Sequence, residues 1–281
     1  MIITSKTNNT VKYISSLKSK KYRNKYNKYV IEGIKLVEEI INSEGNAPEF
    51  IIYSEDILKK TSLGIEFLDK YMNNIICKSN TIGVTEEIFK LMTDLETPQG
   101  VLAVVDKDNE YGINDLEENI NNCKNNEKYI ILDKIQDPGN LGTIIRSAVS
   151  FDVQNIICIE GTVDAFSPKV IRSTMSGIRK IKIYNILNND IDKMSDMFIN
   201  SKYNMIATSL NADKYVNEEK ITNKDIFVMG NEANGVSDIL ASKCNKHIKI
   251  PMESIMESLN VATATTILMY EQYIRGNSNA C

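Results

Sequence analysis

The sequence predicts an α/β protein in two domains, and three observations carry that prediction. Short β-rich runs alternate with stretches long enough for helices. A polar, asparagine-rich segment interrupts the alternation before the midpoint, and from Tyr129 onward the alternation becomes regular. Strands alternating with helices form βα units, whose mostly parallel sheets are covered on both faces. With 281 residues, 42% hydrophobic and 25% charged, the chain has an ordinary globular composition and room for two cores.

In the first hundred residues, "YVIEGIKLVEEII" predicts a strand running into an amphipathic helix and "EFIIYSED" a short buried strand. "TEEIFKLMTDL" predicts a helix with an acidic first turn, and "QGVLAVVDK" a strand ending in charge. Together they make a small α/β domain over residues 1–106. Residues 107–128 have few apolar side chains and predict a linker with room for a short helix. A second domain follows over 129–281. Its strands are predicted at "YIILDKI", "NIICIE", "KIKIYNI", "NMIATSL", "DIFVMG" and "HIKIP". Ligands of such sheets sit beyond the carboxyl ends of the strands, so segments that directly follow a strand are where chemistry is expected.

The net charge of −4 hides an asymmetry. Residues 1–31 hold Lys6, Lys12, Lys18, Lys20, Lys21, Arg23, Lys25 and Lys28 with no acidic residue, which leaves the other 250 residues at −12. Tyr13, Tyr22, Tyr26 and Tyr29 are interleaved with these charges. A basic segment with aromatic rings fits a nucleic-acid backbone with bases to stack. A solvated lysine-rich helix whose tyrosines pack inward fits equally well. The single histidine, His247, makes chemistry that needs several imidazoles improbable and itself reads as a strand-end residue. Cys77, Cys123, Cys158, Cys244 and Cys281 are scattered and form no C-x-x-C pair, which predicts a reducing cytoplasm and no metal or disulfide framework. No apolar run reaches the roughly 18 residues of a membrane span, and no secretory signal opens the chain, so no membrane is expected as a partner.

Three strand ends stand out. In "DPGNLGTIIRSAVSF", residues 137–151, Ile144, Ile145, Ala148 and Val149 form one helical face, and Asn140 is placed to cap the helix. Arg146 is unexplained by capping or packing and calls for a partner. In "FVMGNEANGVS", residues 227–237, Gly230 permits close backbone approach, Asn234-Gly235 marks a tight turn and Glu232 lies between them. Taken alone, that segment reads more readily as a surface turn. In "IKIPMESIMESLNVATATTILMYE", residues 248–271, Ser258 or Asn260 serves as a helix cap, with Val261, Thr265, Leu268 and Met269 turned inward. Met252, Ile255 and Met256 lie in the connecting loop, where they suit either a flat organic ring or local packing.

In order, N-x-G-x-x-x-R (Asn140, Gly142, Arg146), G-N-E-x-x-G (Gly230 to Gly235) and I-P-M-x-x-x-x-x-S-L-N-V (Ile250 to Val261) resemble the three motifs of the SpoU/TrmH family of RNA ribose 2′-O-methyltransferases, of the SPOUT class. "SPKVIRSTMSG", residues 167–177, is similar to the segment between the first and second motifs. The likeness covers about residues 129–275, and the basic N-terminal region resembles the family's substrate-binding domain, a ribosomal-protein-like α/β sandwich. The resemblance implies a C-terminal domain with a deep trefoil knot, a homodimer through that domain, S-adenosylmethionine as methyl donor, and RNA, most of all 23S ribosomal RNA, as substrate. It implies main-chain contacts to the donor from Gly230, Ile250 and Leu259, with Asn231 and Met252 completing that site. Arg146 would grip the phosphate beside the target nucleotide, Asn140 and Glu232 would hold the arginine, and Ser258 and Asn260 would fix the third loop. Lys18, Lys20, Lys21, Arg23 and Lys25 would meet the RNA. A Rossmann methyltransferase is disfavoured independently, since the chain has no G-x-G after a strand. Transfer RNA as substrate, or a non-catalytic RNA-binding or ribosome-assembly factor on the same fold, are the alternatives. Nucleotide hydrolysis lacks a P-loop.

Overall fold

The computed structural model describes residues 2–43, 47–72, 81–122, 127–253, 255 and 258–278. The chain forms two compact units: residues 1–108 with 166–176, and residues 109–165 with 177–281.

The first unit is built on a five-stranded mixed sheet of β1 (Ile2–Ile3), β2 (Lys28–Glu32), β3 (Phe50–Tyr53), β4 (Thr81–Val84) and β5 (Val101–Asp106), in the order β1-β4-β3-β5-β2. β5 runs antiparallel to both β2 and β3. All of β5 except its last residue is buried, which is why "GVLAVV" has no polar alternation. Ile14 and Leu17 from the first helix region, Ile88 and Phe89 from the helix Glu86–Met92, and Leu102 and Val104 share its core. Asn8 caps the helix Asn9–Ser16 through Thr10 N–H (2.8 Å), and Thr85 caps Glu86–Met92. The helix Pro168–Thr174 belongs to this unit although its neighbours in the chain belong to the other, and Phe166 meets Tyr29 edge-on at 5.1 Å.

The second unit is an eight-stranded sheet. Its strands are β6 (Glu110–Tyr111), β7 (Tyr129–Leu132), β8 (Asn155–Ile159), β9 (Lys182–Ile186), β10 (Asn204–Thr208), β11 (Lys214–Tyr215), β12 (Asp225–Met229) and β13 (Lys246–Lys249), in the order β11-β13-β10-β12-β7-β8-β9-β6. Every pairing is parallel. Each of the six apolar runs named above carries one of these strands. β7, β8 and β12 are buried at every position, as a sheet covered on both faces requires. Strand order steps one way from β7 to β8 and the other way from β12 to β10, so the β7–β12 boundary is the switch point at which such sheets open a crevice.

The segment 107–128 differs from a linker. β6 pairs with β9, and the helix Ile113–Asn122 buries Leu116 and Ile120 in the same core as Tyr129 and Tyr184. Two apolar positions four apart are enough to seat a helix on one face, and the surrounding asparagines mask them in composition. Among the described residues no helix is long and apolar enough to cross a membrane.

Candidate active site

The loops after β7, β12 and β13 meet. The side-chain amide of Asn140 donates to Glu232 Oε1 at 2.8 Å, and its side-chain oxygen accepts from Asn260 Nδ2 at 3.0 Å. One residue from each of the three strand-end segments therefore joins a single hydrogen-bonded chain. Glu232 and Asn260 are exposed and Asn140 is half-buried, so each bond is worth only about 1 kcal/mol net. Their geometry is set instead by how each backbone is held.

Asn140 is not the cap of its helix. The helix Pro138–Ser150 begins with Pro138, whose missing N–H costs nothing there, and Asp137 is the cap, its Oδ1 accepting from the Asn140 N–H at 2.8 Å. With Asp137 taking the capping role, the Asn140 side chain is free to bridge the other two loops. Leu141, Ile144, Ile145 and Ala148 are buried on one face of this helix. Arg146 lies on the exposed face and forms no ion pair or side-chain hydrogen bond among the described residues. Its charge is solvated rather than buried, and the described residues supply it no partner. Next to it, the Ser147 hydroxyl is 2.8 Å from that of Thr266 on the helix Val261–Ser278. Asn260 caps that helix, accepting from Ala262 N–H (2.9 Å) and Thr263 N–H (3.3 Å), so it anchors a helix and reaches Asn140 at once.

Glu232 rides on a closed turn. Asn231 and Gly235 exchange both backbone hydrogen bonds (3.0 and 2.8 Å), and Asn231 Oδ1 accepts from Ala233 and Asn234 N–H. Gly235 has φ +69°, a conformation glycine enters without strain. A Cβ on Gly230 would fall 2.0 Å from the Gly235 carbonyl carbon, so the close approach that this glycine permits is to the chain's own backbone. Ser258 is exposed and Ile250 half-buried. Met252 and Leu259 are each 36% exposed and Ile255 is 89% exposed, an unusual display of large apolar groups in one loop. Met256 lies outside the described residues, as do Cys77, Cys123 and Cys281.

Two residues escaped the sequence reading. Asp133, at the end of β7, is 1% exposed, and its Oδ2 accepts from Ser237 N–H at 2.7 Å. Lys134 has φ +58°, and its carbonyl accepts from Asn231 Nδ2 at 2.9 Å. The signal was a charged pair closing an otherwise apolar run, "YIILDKI".

The basic stretch divides in two. Arg23 is 3% exposed, and its guanidinium closes the end of the first helix by donating to the carbonyls of Leu17 (2.8 Å) and Lys18 (2.6 Å). Arg23 is therefore not an RNA contact but a structural plug. Lys18 is half-committed, donating to the Thr93 carbonyl at 2.6 Å and pairing with Asp94 at 3.2 Å. Lys20, Lys21 and Lys25 are exposed on the helix Lys20–Tyr26. Lys21 and Lys25 lie over the rings of Tyr22 and Tyr26, which stack on each other at 6.2 Å. Tyr29 is core, and Tyr13 donates to Glu49 at 3.0 Å.

A wholly parallel sheet, with three strand-end loops tied together beside a guanidinium that no described residue pairs, defines an α/β enzyme domain with a preformed ligand edge. Residues 127–270, just over half of the chain, match the SpoU rRNA Methylase family. The chain belongs to that family. Residues 8–103 match the MRM3-like substrate binding domain. Among curated relatives, the 23S rRNA (guanosine(2553)-2′-O)-methyltransferase RlmP of Bacillus subtilis (strain 168) is 30% identical over 275 residues, covering 98% of this chain and 99% of that protein. The mitochondrial rRNA methyltransferase 3 of Xenopus laevis is 26% identical, covering 92% of this chain and 72% of that protein. Among solved structures, the AdoMet-bound rRNA methyltransferase of Sinorhizobium meliloti superposes with TM-score 0.76 at 26% identity, over 96% of each chain.

Proposed function

We propose that the chain transfers a methyl group from S-adenosylmethionine to a ribose 2′-hydroxyl of 23S ribosomal RNA. The observation that carries the reading is the Asn260–Asn140–Glu232 chain at the start of a helix that displays Arg146 without a partner among the described residues. Family membership and the ribosomal RNA specificity of the Bacillus relative support the substrate.

The residues present fit the donor. The loop after β13 offers exposed Met252, Ile255 and Leu259, apolar surface of the kind that covers an adenine ring, beside main-chain groups at Gly230 and Ile250. Gly230, Asn231, Ile250, Met252 and Leu259 would hold it. When bound, the donor supplies a methyl group made electrophilic by its sulfonium. The 2′-hydroxyl is a poor nucleophile at neutral pH, so the chain's task is to orient it and stabilise the charge that develops. Arg146 would take the flanking phosphate in its planar fork of donors. Asn140 and Glu232 hold the first turn of that helix in place. Arginine does not give up its proton readily, so the hydroxyl proton would leave through phosphate or water. Ser258 and Asn260 would fix the third loop.

The exposed lysines Lys20, Lys21 and Lys25, with Tyr22 and Tyr26, would form the RNA-facing surface of the first unit. A homodimer, a trefoil knot in the second unit and a cytoplasmic location complete the proposal. The knot is supported by the return of the chain after β13, which packs the helix Val261–Ser278 against the helix Pro138–Ser150. The test is direct: purified protein with 23S ribosomal RNA and labelled donor should yield one 2′-O-methylated nucleotide. Labelling of transfer RNA alone, or of neither, would overturn the reading.

A further inference from the structure

Two locally unfavourable features sit side by side at the end of β7, and both hold the same loop. The Asp133 carboxylate is buried, yet only Oδ2 is satisfied. Oδ1 has no hydrogen-bond partner among the described residues. Burying a half-satisfied carboxylate is costly, and an apolar residue of similar size would avoid the cost. Lys134 follows in the left-handed region, which a side-chain-bearing residue enters only at a penalty. Such costs persist where the surroundings use them. Here Lys134 uses its carbonyl to fasten Asn231, the second residue of the loop after β12, while Asp133 fastens Ser237, the last. Between these two stems runs the turn that presents Glu232 to Asn140. The Asp133 N–H also bonds the Met229 carbonyl at 2.8 Å, so the clamp is continuous with the sheet.

We infer that Asp133 is a positioning residue for methyl-donor binding, acting through the Ser237 N–H to hold the 230–237 loop in its binding shape before the ligand arrives. This rests on the proposed methyltransferase function. A rigid loop binds without first paying to become ordered, so loosening one stem should weaken affinity although Asp133 itself need not touch the ligand.

Two substitutions break the contact from opposite sides. Asp133→Ala removes the acceptor. Ser237→Pro removes the donor, and Ser237 has φ −62°, the angle proline requires. Calorimetric titration with S-adenosylmethionine should show each variant weakened about tenfold, as for loss of one hydrogen bond to a charged group. The double variant should be no weaker than either single one, because both remove one interaction. Asp133→Asn keeps an acceptor for Ser237 and should stay within about threefold of the parent. Hydrogen exchange without ligand should accelerate at residues 231–237 in both single variants. Unchanged donor affinity with only a lowered melting temperature would overturn the inference, as would additive losses in the double variant. Should Asp133→Ala not fold, Ser237→Pro and Asp133→Asn carry the same comparison. A parent protein that fails to bind the donor would instead count against the proposed function.

Discussion

In the basic stretch 1–31, charge is abundant, yet part of it serves the fold. Arg23 plugs a helix end and Lys18 pairs with Asp94. At the strand ends of the second unit cations are fewer, and Arg146 is held out with no partner among the described residues. The two regions teach that a ligand-facing cation is identified by what its neighbours leave undone. In the first unit helix-end carbonyls and Asp94 draw cations inward. Around Arg146 the nearby polar groups are occupied: Asn140 and Glu232 with each other, and Ser147 with Thr266.

Four experiments break or sharpen that contrast. The largest effect is expected from Arg146→Ala. Methyl transfer should fall by about a hundred- to a thousandfold, the range for losing one preorganised charge-stabilising donor, with donor affinity nearly unchanged. Turnover assays beside calorimetry measure both, and lost donor affinity would dissolve the contrast. Next, Arg23→Ala should cost about 1–3 kcal/mol of stability in denaturant melts by stranding helix-end carbonyls. Combined alanine substitution of Lys20, Lys21 and Lys25 should be within about 0.5 kcal/mol per site of neutral. That triple variant should instead flatten the salt dependence of RNA binding by about one unit of slope per lysine. If Arg23 and the three lysines behaved alike, the division of the basic stretch would be wrong.

A smaller loss is expected from Asn140→Ala, which unties the loops while leaving the Asp137 cap intact. Activity should drop by about five- to tenfold, as for one exposed hydrogen-bonded bridge. The melting temperature should hardly move. The smallest effect concerns Glu32, whose carboxyl is pushed above its usual range by burial, against the opposing pull of the Thr93 hydroxyl (2.7 Å) and Arg172. A carboxyl raised in the folded state contributes stability that is full below its unfolded pKa and is lost as pH rises through the folded one. Glu32→Gln should therefore blunt the decline in melting temperature as pH rises above the ordinary glutamate range. A parallel decline in parent and variant would show that this buried carboxylate is already compensated.

The sheet strands were legible because burial on both faces turns a strand into an unbroken apolar run. "NIICI" and "DIFVM" are plain examples. The three motifs were legible because glycine, asparagine and proline at fixed offsets mark turns. Capping was not, since Asp137 and Asn140 are equally good caps by residue type and only the Pro138 register decides between them. Asp133 was hidden for another reason. Its role depends on a backbone N–H 104 residues away, and no local pattern encodes that. The packing of residues 107–128 was masked by asparagine, although Leu116 and Ile120 are spaced as one helical face.

The chain leaves the second unit after Ala165 and re-enters it at Gly177, having contributed Phe166, Val170 and Ile171 to the first. A fragment starting at Asn109 would carry that excursion as a sticky, uncovered strap, while one ending at Asp108 would lack a wall of its own interior. Truncation at the apparent boundary thus damages both pieces, and dissecting this enzyme calls for excising or replacing the strap rather than cutting the polypeptide once.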